Sequence, residues 1–288
     1  MTDQSAPLGI IGAASGLGAP DGRCGDGPQV LHEALQQCPS SALAWHQTVS
    51  AAEDGATLPE FLERLAASCA ALLQTQQRIA VVGGDHACAM GTWRGVGRAV
   101  GAPLGLIWID AHLDAHTPVT SPRGFWHGMP VAALLGQMAE AFPQNEGAAI
   151  DPRHLCVVGA RSFEDDEHEL LLRLGVRVIT MAEVGRIGFE AAMAEALAIA
   201  TSGTVAYGIS IDLDALDPTD APGVGSPVVG GLLAAELLSW LSSVAGDPRL
   251  RALELAEFNP AVDKEQRTLE LLLQILKTAS GADYESDH

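Results

Sequence analysis

Short apolar runs alternate with stretches of helical spacing along the whole chain, and this alternation narrows the fold more than any single motif. The runs at 7–13 (PLGIIGA), 45–49, 78–82 (RIAVV), 104–109 (LGLIWI), 154–159 (HLCVVG), 176–179 (VRVI), 204–211 (TVAYGISI) and 250–256 predict strands, that at 45–49 on a sheet edge. Helical spacing or a helix-opening residue follows at Pro28, 57–76, 87–101, His127, 164–174, 189–201, 232–244 and 263–278. Runs without polar alternation are buried on both faces, and strands joined through helices lie parallel. The expectation is one α/β domain over 1–288: a mainly parallel sheet of about eight strands with helices on both faces, and a frayed acidic tail at 280–288.

In such sheets ligands bind beyond the C-terminal ends of the strands. That is where the polar clusters fall. LGLIWI runs into Asp110, His112, Asp114 and His116, a polar group at every second residue, which an emerging strand would send to one side. RIAVV runs into Gly83-Gly84-Asp85-His86, TVAYGISI into Asp212 and Asp214, and the last strand into Glu257-Phe-Asn-Pro. His127 opens a helical stretch beyond the loop 117–126. The glycines Gly12, Gly16 and Gly18 are spaced like a dinucleotide-binding turn, but loop residues follow them where a phosphate cradle needs a helix N-terminus. They read as a glycine-rich loop at the sheet edge.

Sixteen Lys+Arg against thirty-six Asp+Glu give a formal net charge of −20, which argues against a nucleic-acid or anionic membrane partner and suits metal cations and cationic small molecules. The five cysteines (Cys24, Cys38, Cys69, Cys88, Cys156) are scattered without a C-x-x-C pair, which reads as reduced thiols of a cytoplasmic protein. The opening MTDQSAPLGIIG lacks the features of a signal peptide, and no apolar run approaches a membrane span.

Four aspartates and two histidines are hard-to-borderline ligands, suited to Mn²⁺ or a similar first-row ion. They are too many for one open site but enough for two ions if some carboxylates bridge. The reaction class implied is metal-assisted hydrolysis, at carbon or at phosphorus.

GGDHACAMG (83–91), DAHLD (110–114), HGMP (127–130), SIDLDALDP (210–218), APGVGSPVVGG (221–231) and EFNP (257–260) together resemble the ureohydrolase (arginase/agmatinase) family, and within it most resemble arginases. The resemblance implies a three-layer α/β/α domain around an eight-stranded parallel sheet. It also implies hydrolysis of a guanidinium group to urea and an amine, and a homo-oligomer, trimer or hexamer. Carried over residue by residue, it places one Mn²⁺ on His86, Asp110, Asp114 and Asp212 and a second on Asp110, His112, Asp212 and Asp214. Asp114 would also hydrogen-bond the nucleophile, Glu257 anchor the guanidinium and His127 shuttle a proton to the leaving amine.

The far end of the substrate site departs from the family. Where arginases typically carry Asn, Ser and Asn after DAHLD, this chain has His116, Arg123 and Phe125. Glu164 falls where they carry an Asp, Glu167 aligns with a further carboxylate, and Ser226 with a small hydroxyl residue lining the pocket. Arg123 suits a carboxylate and Glu164 an ammonium. Arginine is therefore the first expectation, followed by a guanidino acid without the α-amino group. Guanidinobutyrase-, agmatinase- and formimidoylglutamase-like activities are enzymatic alternatives, and a metal-binding relative without turnover is the non-enzymatic one.

Overall fold

The computed structural model describes residues 7–52, 55–101, 103–138 and 150–281. Its strands are β1 (Leu8–Ala14), β2 (Leu43–Ser50), β3 (Ile79–Gly83), β4 (Leu104–Ile109), β5 (Leu155–Ala160), β6 (Arg177–Thr180), β7 (Ala206–Asp212) and β8 (Leu250–Ala256). The helices are α1 (Gly27–Gln37), α2 (Leu58–Leu73), α3 (Ala89–Val100), α4 (Pro130–Leu134), α5 (Asp165–Leu174), α6 (Met181–Ile187), α7 (Phe189–Thr201), α8 (Ala234–Val244) and α9 (Arg267–Ala279). The strands form one eight-stranded sheet in the order β2-β1-β3-β8-β7-β4-β5-β6. Every pairing is parallel, and the 45–49 run lies in the edge strand β2.

Period-two sorting of side chains builds two cores from one sheet. In β4, Leu104, Leu106 and Trp108 pack with residues of α2–α5, whereas Ile107 and Ile109 pack with residues of α7–α9 on the other face. At about 1.5–3 kcal/mol for each fully buried large apolar side chain, these layers are the main force holding the sheet. The packing is tight enough to need glycine in two central strands. A Cβ on Gly208 would enter the Trp93 ring, and one on Gly105 would meet the Ala200 carbonyl of α7.

Helix starts differ from the periodicity at three places. The chain at His127 forms a one-turn 3-10 segment, Trp126–Gly128, and α4 begins only at Pro130, a residue suited to a first turn. α9 starts at Arg267 rather than 263, because Asp263 stays outside and accepts the backbone N–H groups of Thr268 and Leu269, both at 3.0 Å. The helix α6 has no counterpart in the apolar spacing. Its signal is a cap: Thr180 Oγ1 accepts the Glu183 N–H at 3.3 Å, in a Thr-x-x-Glu arrangement. The 282–288 part of the acidic tail lies outside the described residues.

Strand order is what assembles a site. β3, β8, β7 and β4 are consecutive in the sheet although they are far apart in the chain, so residues 83–86, 257, 212–214 and 110–114 emerge side by side at one rim. Among the described residues no helix is long and apolar enough to cross a membrane.

Candidate metal centre and active site

After Ile109 the chain leaves the sheet, so the carboxylates beyond it are not presented by strand alternation as the sequence suggests. Asp110 Oδ1 instead accepts the His112 N–H at 2.7 Å, a local turn. Asp114 lies in left-handed backbone space at φ 49°. The same short-range pattern closes β7, where Asp212 Oδ1 accepts the Asp214 N–H at 2.8 Å. His86 sits in a 3-10 turn capped by Asp85, whose carboxylate accepts the Ala87 N–H at 3.0 Å.

These turns bring six side chains together. His86 Nδ1 lies 3.3 Å from Asp110 Oδ2, 3.1 Å from Asp114 Oδ2 and 3.2 Å from Asp212 Oδ2. His112 Nδ1 lies 3.2 Å from Asp214 Oδ2 and 3.5 Å from Asp110 Oδ1. Asp110 thus faces both histidines, one with each oxygen.

A buried hydrogen-bond chain sets the orientation of His86. Ser210 Oγ donates to Glu254 Oε2 at 2.7 Å, which leaves its lone pair for His86 Nε2 at 3.1 Å and puts the imidazole proton on Nε2. Trp93 Nε1 also donates to Glu254 Oε2, at 2.9 Å. Trp108 stacks on the His86 ring with centroids 4.2 Å apart and donates to Asp110 Oδ2 at 2.9 Å. Nδ1 is then aimed at three carboxylate oxygens. Among the described residues neither His86 Nδ1 nor Asp114 Oδ2 has a hydrogen-bond partner. A buried lone pair facing carboxylates is repulsive unless a second proton or a cation stands between them. The donor set of carboxylate and imidazole fits divalent first-row cations.

Charge crowding sets the proton affinities of the cluster. Burial, with the charges of Asp214 and Asp110, pushes Asp212 well above the ordinary carboxylate range. Burial and Asp110 likewise push Asp114 up to about 6. For Asp110 burial acts the same way, but His112 and His86 overcome it and hold its carboxyl low. Burial disfavours the His86 and His112 imidazolium forms, yet the surrounding aspartates raise both, His112 to about 12. The aspartates thus favour positive charge at both imidazoles, and bound divalent cations would supply that charge in place of protons.

One wall beside the cluster carries Glu257 and His127. Glu257 is buried, has φ 67°, and accepts the His86 N–H at 2.9 Å through Oε1. Of the four non-glycine residues with positive φ among those described, two are Asp114 and Glu257, a concentration of backbone strain at one place. His127 Nδ1 is 3.6 Å from Glu257 Oε1. Burial lowers its basicity, but Glu257 more than offsets this and the net shift is upward. The glycine-rich loop after β1 is part of this wall: Gly18 donates its N–H to Asp85 Oδ2 at 2.9 Å and accepts the His127 N–H at 3.1 Å.

A cavity of about 410 Å³ runs from the cluster outward and is lined by Asp114, Asp214, Glu257 and His127 at its floor and by His116, Arg123, Phe125, Glu164, Glu167 and Ser226 further out. The Arg123 guanidinium sits 5.5 Å over the Phe125 ring, and Phe125 meets His127 edge-on at 6.1 Å. His116 Nε2 lies 3.1 Å from Glu164 Oε2 and 3.5 Å from Glu167 Oε2. Glu167 is nearly buried and already accepts the Ala115 N–H at 3.0 Å and the Glu164 N–H at 3.1 Å, capping α5. Burial raises its pKa to about 8. Behind the far wall, Arg161 donates to the carbonyls of Asp214 at 2.8 Å, Ala215 at 3.1 Å and Val228 at 2.7 Å, tying the loops that follow β7 to β5.

Residues 6–281 match the model of the Arginase family. The chain belongs to the arginase family. An arginase from Bacillus caldovelox is 38% identical over 221 residues, covering 76% of this chain and 74% of the relative. Human arginase-1 is 31% identical, with 100% of this chain and 97% of that protein covered. The crystal structure of arginase from Bacillus subtilis superimposes with a TM-score of 0.88 at 30% identity, covering 96% of this chain and 99% of that one.

As an arginase-family protein the molecule is a metal-dependent hydrolase of small guanidino substrates, and its histidine and aspartate groups are placed to bind metal. The residues singled out from the sequence all face this one cluster and cavity. Not singled out were Trp108, Ser210 and Glu254, which orient His86 and Asp110. Glu254 had a visible signal, a carboxylate inside the otherwise apolar run at 250–256. The serine and tryptophan had none.

Proposed function

We propose that this protein is an arginase, hydrolysing L-arginine to L-ornithine and urea with two Mn²⁺ ions, other first-row divalent ions being chemically admissible. What carries this reading is the convergence of the aspartate–histidine cluster, Glu257 and His127 on the floor of one cavity. His86, Asp110, Asp114 and Asp212 would hold one ion and Asp110, His112, Asp212 and Asp214 the other. Bound there, the ions supply Lewis acidity, making water acidic enough to act as a nucleophile near neutral pH.

This chain's residues do the rest. Glu257, locked by the His86 N–H, takes the guanidinium through charge-assisted hydrogen bonds and sets its carbon above the cluster. Asp114 accepts a hydrogen bond from the attacking water and so aligns it. As the new C–O bond forms and the C–N bond breaks, His127 delivers a proton to the departing amine. The same reading makes the enzyme a cytoplasmic homo-oligomer, trimer or hexamer, without nucleic-acid or membrane partners.

At the outer end Arg123 receives the substrate carboxylate, with Ser226 lining the passage and Glu164 set for an α-ammonium. One observation favours a second reading, a guanidino acid without the α-amino group: His116 already pairs with Glu164 at 3.1 Å, so an ammonium has to compete for that carboxylate. Urea release by the Mn²⁺-loaded enzyme should be compared for arginine, guanidinobutyrate, agmatine and guanidine. Arginine or guanidinobutyrate is expected to be turned over fastest. Arg123→Ala should raise KM for the preferred acid by roughly 10- to 100-fold, the loss of one charged hydrogen-bond partner, with little change for agmatine. Faster urea release from agmatine than from either acid would overturn the role given to Arg123.

A further inference from the structure

We propose that Cys24 is a positioning residue for Glu257, its thiol clamping the carboxylate that receives the guanidinium. The proposal rests on the reading of Glu257 as that anchor. Cys24 lies in the 3-10 turn Gly22–Asp26, against the Glu257 carboxylate oxygen that His86 does not hold, and is 1% exposed. Its Sγ is 3.2 Å from Glu257 Oε2 and 3.8 Å from the Glu257 carbonyl oxygen. With the His86 N–H on Oε1 at 2.9 Å, each carboxylate oxygen has its own donor. Space is kept for this contact at Gly225, where a Cβ would come within 3.1 Å of Oε2 and 3.6 Å of Sγ.

The choice of a thiol has a physical consequence. Glu257 stands in left-handed backbone, a conformation that glutamate does not favour and that persists where the surroundings hold the residue in place. A carboxylate offers about four lone-pair positions, and the His86 N–H and the thiol together use two. An S–H group is a weak donor, so it fixes direction while leaving most of the charge for a guanidinium. Cys24 remains a donor because burial and the charge of Glu257 both push its thiol pKa upward.

The test uses Mn²⁺-loaded Cys24→Ala, Cys24→Ser, Glu257→Gln and the Cys24→Ala/Glu257→Gln double variant. In urea-release kinetics Cys24→Ala should raise KM roughly 3- to 10-fold, the effect of one modest hydrogen bond, with kcat within about twofold. Cys24→Ser, which keeps a donor, should return KM to within about twofold of wild type. Adding Cys24→Ala to Glu257→Gln should change nothing further, because the group being positioned is already impaired. Independently of turnover, the infrared S–H stretch isolated by subtracting the Cys24→Ala spectrum should lie below that of a free thiol and move toward it in Glu257→Gln. Additive effects in the double variant, or a band indifferent to Glu257→Gln, would overturn the clamp. A normal KM in Cys24→Ala beside a raised KM in Glu257→Gln would overturn the role of Cys24 alone. A normal KM in Glu257→Gln would overturn the anchor reading, and the positioning role with it.

Discussion

Asp212→Asn, reconstituted with Mn²⁺, should release urea at least ~10³-fold more slowly than wild type, since a divalent centre supplies several kcal/mol of charge stabilisation. The substitution is conservative in shape: an amide oxygen can still accept the Asp214 N–H that Asp212 Oδ1 accepts at 2.8 Å. What it removes is the charge of the oxygen lying 3.2 Å from His86 Nδ1. Stripping the wild-type protein with a chelator should abolish turnover as well, and Mn²⁺ should restore it in wild type but not in the variant. Equal rates for the two proteins would end the enzymatic reading of this cluster.

The same pair separates function from folding. Because the folded-state pKa of Asp212 is raised, its ionised form costs stability once pH exceeds the unfolded value, and the cost grows until pH reaches the folded value. At neutral pH without metal, Asp212→Asn should therefore melt no lower than wild type. With Mn²⁺ the order should reverse, since binding to the native state alone raises the melting temperature of the protein that binds more tightly. Thermal unfolding with and without Mn²⁺ reads both halves.

Arg161→Ala should be the most destabilising substitution at an only partly buried position near the site, by about 2–4 kcal/mol in denaturant unfolding of the metal-free protein. Arg161 donates to three carbonyls at 2.7–3.1 Å and to those of Gly159, Val229 and Leu216 at 3.3, 3.3 and 3.4 Å. A guanidinium fork reaches several carbonyls at once, which an ammonium does not, so Arg161→Lys should recover only part of the loss. Since the clasp holds the Asp214 carbonyl, Mn²⁺ affinity should fall in parallel. A change under about 0.5 kcal/mol would show that the clasp contributes nothing to folding.

The parallel sheet and the rim carrying the site are both readable from short apolar runs that end in His86, Asp110, Asp212 and Glu257, because burial and strand direction leave local marks. That β8 and β7 are inserted between β3 and β4 is not readable, since it depends on pairings between residues far apart in the chain. Strand alternation gives the right residues after Ile109 for the wrong reason: turns, not pleating, aim Asp110 and Asp114. The contact between His116 and Glu164, which bears directly on substrate choice, links a loop to a helix start and leaves no pattern in either.

The left-handed backbone at Asp114 and Glu257 has a consequence for engineering. Each carries a conformational cost of about 1 kcal/mol that glycine would not. Glycine at either position would relax the chain and remove a carboxylate from the reaction. A library screened for heat resistance alone would thus drift toward sturdier, inactive proteins. Stabilisation that preserves turnover has to be sought in the helix layers away from Trp93, where packing and chemistry do not compete for the same residue.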